Sequence, residues 1–115
     1  FMIIPRNKYF RERVRMGSQI FHALANLLSQ KGYSIGVGDE GGFAPELLNN
    51  ERAVQLILEA IKTTGWEPGK NVFLGLDVAA SEFYNHNKYY FIYYFFKIIL
   101  LFILFFFLFF FFLYY

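Results

Sequence analysis

Apolar positions along this chain fall into two regimes. Up to about residue 89 they come as short runs and helical steps broken by Gly, Pro and polar residues; beyond it they are almost continuous. Phe1–Ile4 is a short apolar run stopped by Pro5, the pattern of a buried strand. Arg6–Tyr9 reads as a polar connection. From about Phe10 to Gln30, residues Val14, Ile20, Phe21, Leu24, Leu27 and Leu28 recur at three- and four-residue steps, while Arg11, Glu12, Arg15, Gln19 and Asn26 mark the opposite face. That spacing predicts an amphipathic helix, ended by Gly32 just past the basic Lys31.

Ser34–Gly38 reads as a short strand leading into the stretch "GVGDEGGFAP", Gly36 to Pro45. Asn49 or Asn50 can cap a second helix, about Glu51 to Thr64, with Val54, Ile57, Leu58 and Ile61 as its buried stripe and Gly65 as its stop. Glu67-Pro68-Gly69-Lys70 is a turn, and Val72–Asp77 is a mostly apolar run suited to a strand buried on both faces. The order strand, helix, strand, helix, strand is that of an α/β protein. Three strands are too few to close a barrel, and an open three-stranded piece leaves exposed edges and an uncovered apolar face.

The bulk composition matters chiefly for the second regime. The apolar share of 57% and the aromatic share of 23% are high, and the excess sits after about residue 89. From Tyr89 onward only Tyr, Phe, Ile, Leu and Lys occur. Each has a codon made solely of A and T, as in a translated AT-rich non-coding stretch. As a helix, Ile92–Tyr115 is long enough to span a bilayer, at about 1.5 Å per residue against roughly 30 Å of hydrocarbon. Its single charge, Lys97, lies near one end, where it can snorkel. The organisation expected is a domain-forming segment over 1–89 and a low-complexity, Phe-rich apolar tail over 90–115.

Charge and cysteine usage narrow the function classes. A net charge of +2, from 11 basic and 9 acidic side chains, makes no electrostatic case for nucleic acid. With no cysteine, disulfides and Cys-based metal sites are excluded and the redox compartment is left open. The chain begins with Phe1 rather than Met and shows no signal-peptide pattern, so its N-terminus reads as a cut edge within a strand.

The candidate chemistry lies in two adjacent carboxylates, Asp39 and Glu40, set among four glycines. Gly36, Gly38 and Gly41 spell G-x-G-x-x-G, but a dinucleotide site needs the third glycine to open a helix facing a pyrophosphate. Here Asp39 and Glu40 repel that anion, and Pro45 with several further residues separates the loop from the helix. Two readings remain open: a tight turn carrying solvated acids, or acids placed at the carboxyl end of a strand, where parallel α/β folds bind ligands. Asp77, at the end of "NVFLGLD", stands in the equivalent place one unit later. Converging carboxylates suit a hard cation such as Mg²⁺ or proton transfer, although an Asp at a strand end is also a common helix cap. Of the two histidines, His22 beside Phe21 reads as helix packing and His86 as part of an exposed polar turn.

Three motifs in order, "FRERVRMG" (Phe10 to Gly17), "VGDEGGFAP" (Val37 to Pro45) and "LDVAASEFY" (Leu76 to Tyr84), resemble enolase, phosphopyruvate hydratase, of the bacterial type. "FMIIP" and "FHALANLL" fall at similar spacing, and the resemblance runs from Phe1 to about Tyr89. It implies an early part of the enolase C-terminal barrel: a partial (β/α) barrel of about three strands and two helices, followed by a long apolar C-terminal helix. The start of that barrel is irregular, with one strand antiparallel, which leaves the direction of Phe1–Ile4 open.

The resemblance also implies roles. Glu40 matches the proton donor that protonates the departing hydroxyl of 2-phosphoglycerate, and Asp77 matches one of the carboxylates that hold the catalytic Mg²⁺. Asp39 takes either a loop-fixing hydrogen bond or a direct role; Ser81 and Glu82 take structural ones. The lysine base, the other metal carboxylates and the phosphate-clamping groups have no counterpart in the chain. The family's substrate-binding glutamate would immediately precede Phe1, and the Pro5–Phe10 link is one residue short. The expectation is an enolase fragment, inactive alone. The parent enzyme would be a cytoplasmic, glycolytic, Mg²⁺-dependent homo-oligomer that interconverts 2-phosphoglycerate and phosphoenolpyruvate. The alternative is a non-catalytic protein that reuses an enolase segment and reaches a membrane through its tail.

Overall fold

The structure, a computed structural model, describes residues 1–89. The long apolar helix expected over 90–115, and the membrane anchor it would make, lie outside the described residues. Residues Phe1–Asp77 form one compact unit, and a second begins at Val78.

The first unit contains β1 (Met2–Pro5), α1 (Phe10–Gln30), α2 (Asn50–Thr63) and β2 (Val72–Gly75). The two strands pair antiparallel, with Met2 opposite Gly75 and Pro5 opposite Val72. Pro5 therefore closes the strand from within instead of stopping it short, and the Arg6 N–H extends the pairing to the Asn71 carbonyl at 2.7 Å. A proline is tolerated there because it sits at the strand's end, where its missing N–H breaks no interior bond. The expectations of a buried strand at Phe1–Ile4 and of a strand buried on both faces at Val72–Asp77 are both corrected. In β1, Ile3 and Pro5 turn inward while Met2 and Ile4 are about half exposed, at 52% and 51%. In β2 only Val72 is fully buried. Alternation of this kind is what a sheet covered on one face shows.

α1 spans the predicted residues, and its last turn closes through Gly32 in the left-handed region at φ +76°. Its buried line is Met16, Ile20, Leu27 and Leu28, whereas Val14 is 54% exposed. α2 starts one residue earlier than predicted, and Asn49 is its cap: the side chain accepts the Arg52 N–H at 2.9 Å. Its inward face is centred on Leu56, Ala60 and Ile61, with Val54, Ile57 and Leu58 flanking it half-buried. The predicted stripe is thus rotated toward Leu56.

Two apolar clusters hold the unit together. Met16, Ile20, Ile61 and Val72 join both helices to the sheet, with Ile3, Ile57, Trp66 and Leu74 packed around them. Leu27, Leu28, Leu56 and Ala60 join the helices at the other end, with Leu24, Tyr33, Phe43 and Leu47 against them. The return from α2 to β2 is a type II turn: Lys70 N–H donates to the Glu67 carbonyl at 3.2 Å, Pro68 takes the second position, and Gly69 takes the third with φ +79°.

Ser34–Gly38 is not a strand. Only Val37 is paired, in a single antiparallel bridge to Phe43. The Ser34 hydroxyl accepts the Gly36 N–H at 3.1 Å, a local turn that competes with a ladder, and Gly36 and Gly38 have no side chain to pack on one.

The second unit holds a 3-10 turn (Ala80–Phe83) and a small hairpin of β3 (Tyr84–Asn85) and β4 (Lys88–Tyr89). His86 and Asn87 form its two-residue turn, both with positive φ, at 47° and 59°, and the Tyr84 and Tyr89 rings meet across it at 5.0 Å. No helix of the described residues is long and apolar enough to cross a membrane.

Candidate active site

The glycine stretch folds on itself. Gly38 N–H donates to the Gly42 carbonyl, Gly41 N–H to the Gly38 carbonyl, and Ala44 N–H to the Gly36 carbonyl, each at 2.9 Å. With Val37 bridged to Phe43, this is a hairpin with a three-residue loop. Asp39 and Glu40 take the two central positions of its turn, and Gly41 closes it at φ +77°, the left-handed residue that such loops require. The loop is thus fixed by main-chain bonds, and Asp39 supplies none of them. The two carboxylates are placed side by side at the tip, both exposed and neither in an ion pair among the described residues.

Below the tip, Phe43 turns inward. Its ring stacks on that of Phe21 of α1 at 4.4 Å between centroids and 22° between planes, and it packs against the cluster of Leu27, Leu28, Leu56 and Ala60. The hairpin walls one side of an open cleft of roughly 1130 Å³. Asp39 and Glu40 line it, together with Ser18 and Phe21 of α1, Asn50 and Ala53 of α2, and Phe1, Met2 and Ile3. The arrangement sets a carboxyl group at the edge of a largely apolar concavity. A solvent-accessible carboxyl in such a place can hand a proton to a bound molecule.

Asp77 stands apart from this cleft. It follows β2 by two residues, is exposed, and is engaged in interactions of its own; it is not among the residues that line the cleft. Glu40 borders this cleft and Asp77 does not. Carboxylate oxygens are the right donors for Mg²⁺, but such an ion takes several of them in near-octahedral order. Among the described residues no group of three or more His, Cys, Asp or Glu converges to hold a metal. Asp77 and its neighbours do not by themselves make a Mg²⁺ site.

His86 takes its expected place, whereas His22, expected to pack within the helical core, does not. His22 is exposed, with its ring edge-on to Phe21 at 5.8 Å, and His86 lies in the exposed hairpin turn. Ser81 and Glu82 belong to the 3-10 turn, where Glu82 N–H donates to the Ala79 carbonyl at 2.9 Å. The residue that sequence reasoning passed over is Phe43. Its signal was present: a single large aromatic among glycines and alanine, directly after the acids, with no strand or helix of its own to serve.

A family model described as enolase, C-terminal TIM barrel domain, matches residues 1–95. The chain belongs to the enolase family. The matched span contains the Glu40 hairpin, both helices, the β1–β2 pair and Asp77, so the described elements are part of an enolase barrel domain.

Proposed function

We propose that this enolase segment serves the dehydration of 2-phosphoglycerate to phosphoenolpyruvate, with Glu40 as the proton donor and Asp77 as one ligand of a Mg²⁺ site completed by groups beyond those described. The observation that carries the reading is the Glu40 hairpin. Main-chain bonds fix it, and its tip presents an unpaired carboxyl group at the edge of a cleft within the span that matches the enolase barrel.

The chemistry accounts for the residue types. Loss of the weakly acidic proton beside the substrate carboxylate leaves a doubly charged enolate, and the hydroxyl at the next carbon is then a poor leaving group. A proton delivered by the Glu40 carboxyl to that oxygen lets the C–O bond break with release of water, and the electron pair of the enolate closes the new double bond. Bound Mg²⁺ would supply electrostatic stabilisation of the enolate. The reading carries with it a cytoplasmic, glycolytic setting and a homo-oligomeric assembly.

The test uses a complete enolase into which residues 1–89 are grafted. Glu40→Gln keeps the shape but has no proton to give. It should retain substrate binding and lose dehydration by about 10²–10⁴-fold, the range of general-acid contributions. Asp77→Ala should instead shift the Mg²⁺ titration to higher concentration. Undiminished turnover in Glu40→Gln, or an unchanged Mg²⁺ titration in Asp77→Ala, would sink the assignment concerned.

A further inference from the structure

We infer that Phe21 and Phe43 act as positioning residues for Glu40: their ring stack ties the acid-bearing hairpin to α1. This rests on the reading of Glu40 as the proton donor and adds a role for residues with no chemistry of their own.

The hydrogen bonds at Gly36, Gly38, Gly41, Gly42 and Ala44 are internal to the hairpin. They hold its shape and do nothing to hold the hairpin against the rest of the fold. Its glycines carry no side chain. Val37, opposite Phe43, is 58% exposed, and Asp39, Glu40 and Ala44 are exposed as well. Phe43 is the side chain of this stretch that packs against an apolar cluster, and Phe21 is its ring partner. The two rings lie nearly parallel at 4.4 Å, a geometry that resists sliding and tilting together, and Phe21 sits mid-way along α1, a helix of 21 residues or nearly six turns. Two residues, Gly41 and Gly42, separate the Phe43 anchor from the Glu40 tip. A tilt of the hairpin at its base is therefore carried directly to the carboxyl group, and a displacement near 1 Å at a reacting group can cost on the order of 10²-fold in rate.

A merely structural role and a positioning role part company in the two half-reactions. Exchange of the substrate's C2 hydrogen with solvent needs proton abstraction and return. Dehydration needs, in addition, the acid on the hairpin. In the grafted enzyme, Phe43→Ala and Phe21→Ala should each lower phosphoenolpyruvate formation, by up to about 10²-fold, while exchange of the C2 hydrogen in D₂O stays at the parent rate. The double variant should be no worse than the weaker single one, because both remove one stack, and Phe43→Tyr should restore dehydration. Should Phe43→Ala not fold, Phe43→Leu keeps apolar volume without the ring and reads the same split. Equal loss of exchange and dehydration, or no loss of either, overturns the positioning role. Glu40→Gln measured alongside separates the two claims: loss of dehydration with retained exchange upholds the donor assignment however the phenylalanine variants behave, and retained dehydration overturns both.

Discussion

Gly41 is the point at which backbone conformation alone sets the site. Its φ is +77°, and a Cβ placed there would meet nothing within 4 Å. A side chain at this position therefore costs strain and not collision, which makes the effect calculable. An L-residue held in the left-handed region costs roughly 1–2 kcal/mol. Asn is tolerated there more readily than Ala, and a β-branched residue least. The hairpin can escape the strain only by leaving its observed shape, since its internal bonds are three main-chain contacts and its one apolar anchor is Phe43. The population of the acid-presenting form should then fall about five- to thirtyfold for Gly41→Ala, at 1.4 kcal/mol per decade.

Steady-state dehydration kinetics on a complete enolase carrying residues 1–89 would read this directly. The expected order of turnover is Gly41, then Asn, then Ala, then Val. Gly38→Ala is the internal control: Gly38 does not occupy the left-handed region, and its added Cβ would lie 4.0 Å from the Gly42 carbonyl, an ordinary contact. A Gly41→Asn variant as damaged as Gly41→Val, or a Gly38→Ala variant as damaged as Gly41→Ala, would refute the strain argument.

Two further outcomes concern the framework. Asn49→Ala removes the acceptor of the Arg52 N–H and should destabilise the first turn of α2 by about 1 kcal/mol, seen as roughly fivefold faster hydrogen exchange at Arg52, whereas Asn49→Asp should keep its protection. Ile61, with no exposed surface, ties α2 to Met16, Ile20 and Val72, so Ile61→Ala should cost about 2–5 kcal/mol in urea unfolding followed through the single Trp66 packed beside it; Leu48→Ala, at a residue 95% exposed, should change little.

What could be read from the sequence divides by the range of the interactions involved. Both helices were legible because caps, stops and three- to four-residue spacing are local: Asn49, Gly32 and Gly65 all stand where the pattern needs them. Which way each helix faces was less so. Val14 and Met16 are both apolar, and only packing against Val72 and Ile61 decides that Met16 is buried and Val14 is not. Ile35 and Val37 look like a strand in their alternation, but a strand needs a partner, and the described one is a single bridge to Phe43. The hairpin at Tyr84–Tyr89 carried a signal that went unread: an Asn at a two-residue turn between aromatic residues, with Asn87 in the left-handed region. The antiparallel sense of β1 and β2 has no local signature at all.

The same division separates the two proposed site residues. Glu40 owes its place to contacts within a few residues and to one ring stack, so the motif around it is both the chemical signal and the structural device. Asp77 owes its place to β2, which is aligned by β1 from the far end of the chain, Met2 against Gly75. The lack of a side chain at Gly75 makes room for Ile4 across that pairing: a Cβ there would come within 3.1 Å of Ile4 Cδ1. Changes in the glycine hairpin should therefore act on proton donation and leave metal affinity alone, while changes in the β1–β2 pair should do the reverse. The ten residues around Glu40 carry the hairpin's shape, while its proposed role comes from the resemblance of three motifs in order. A metal ligand could not be established by the same means, because a ligand is defined by the groups that converge with it. Asp77's place, unlike Glu40's, is set by a strand pairing across some seventy residues of chain.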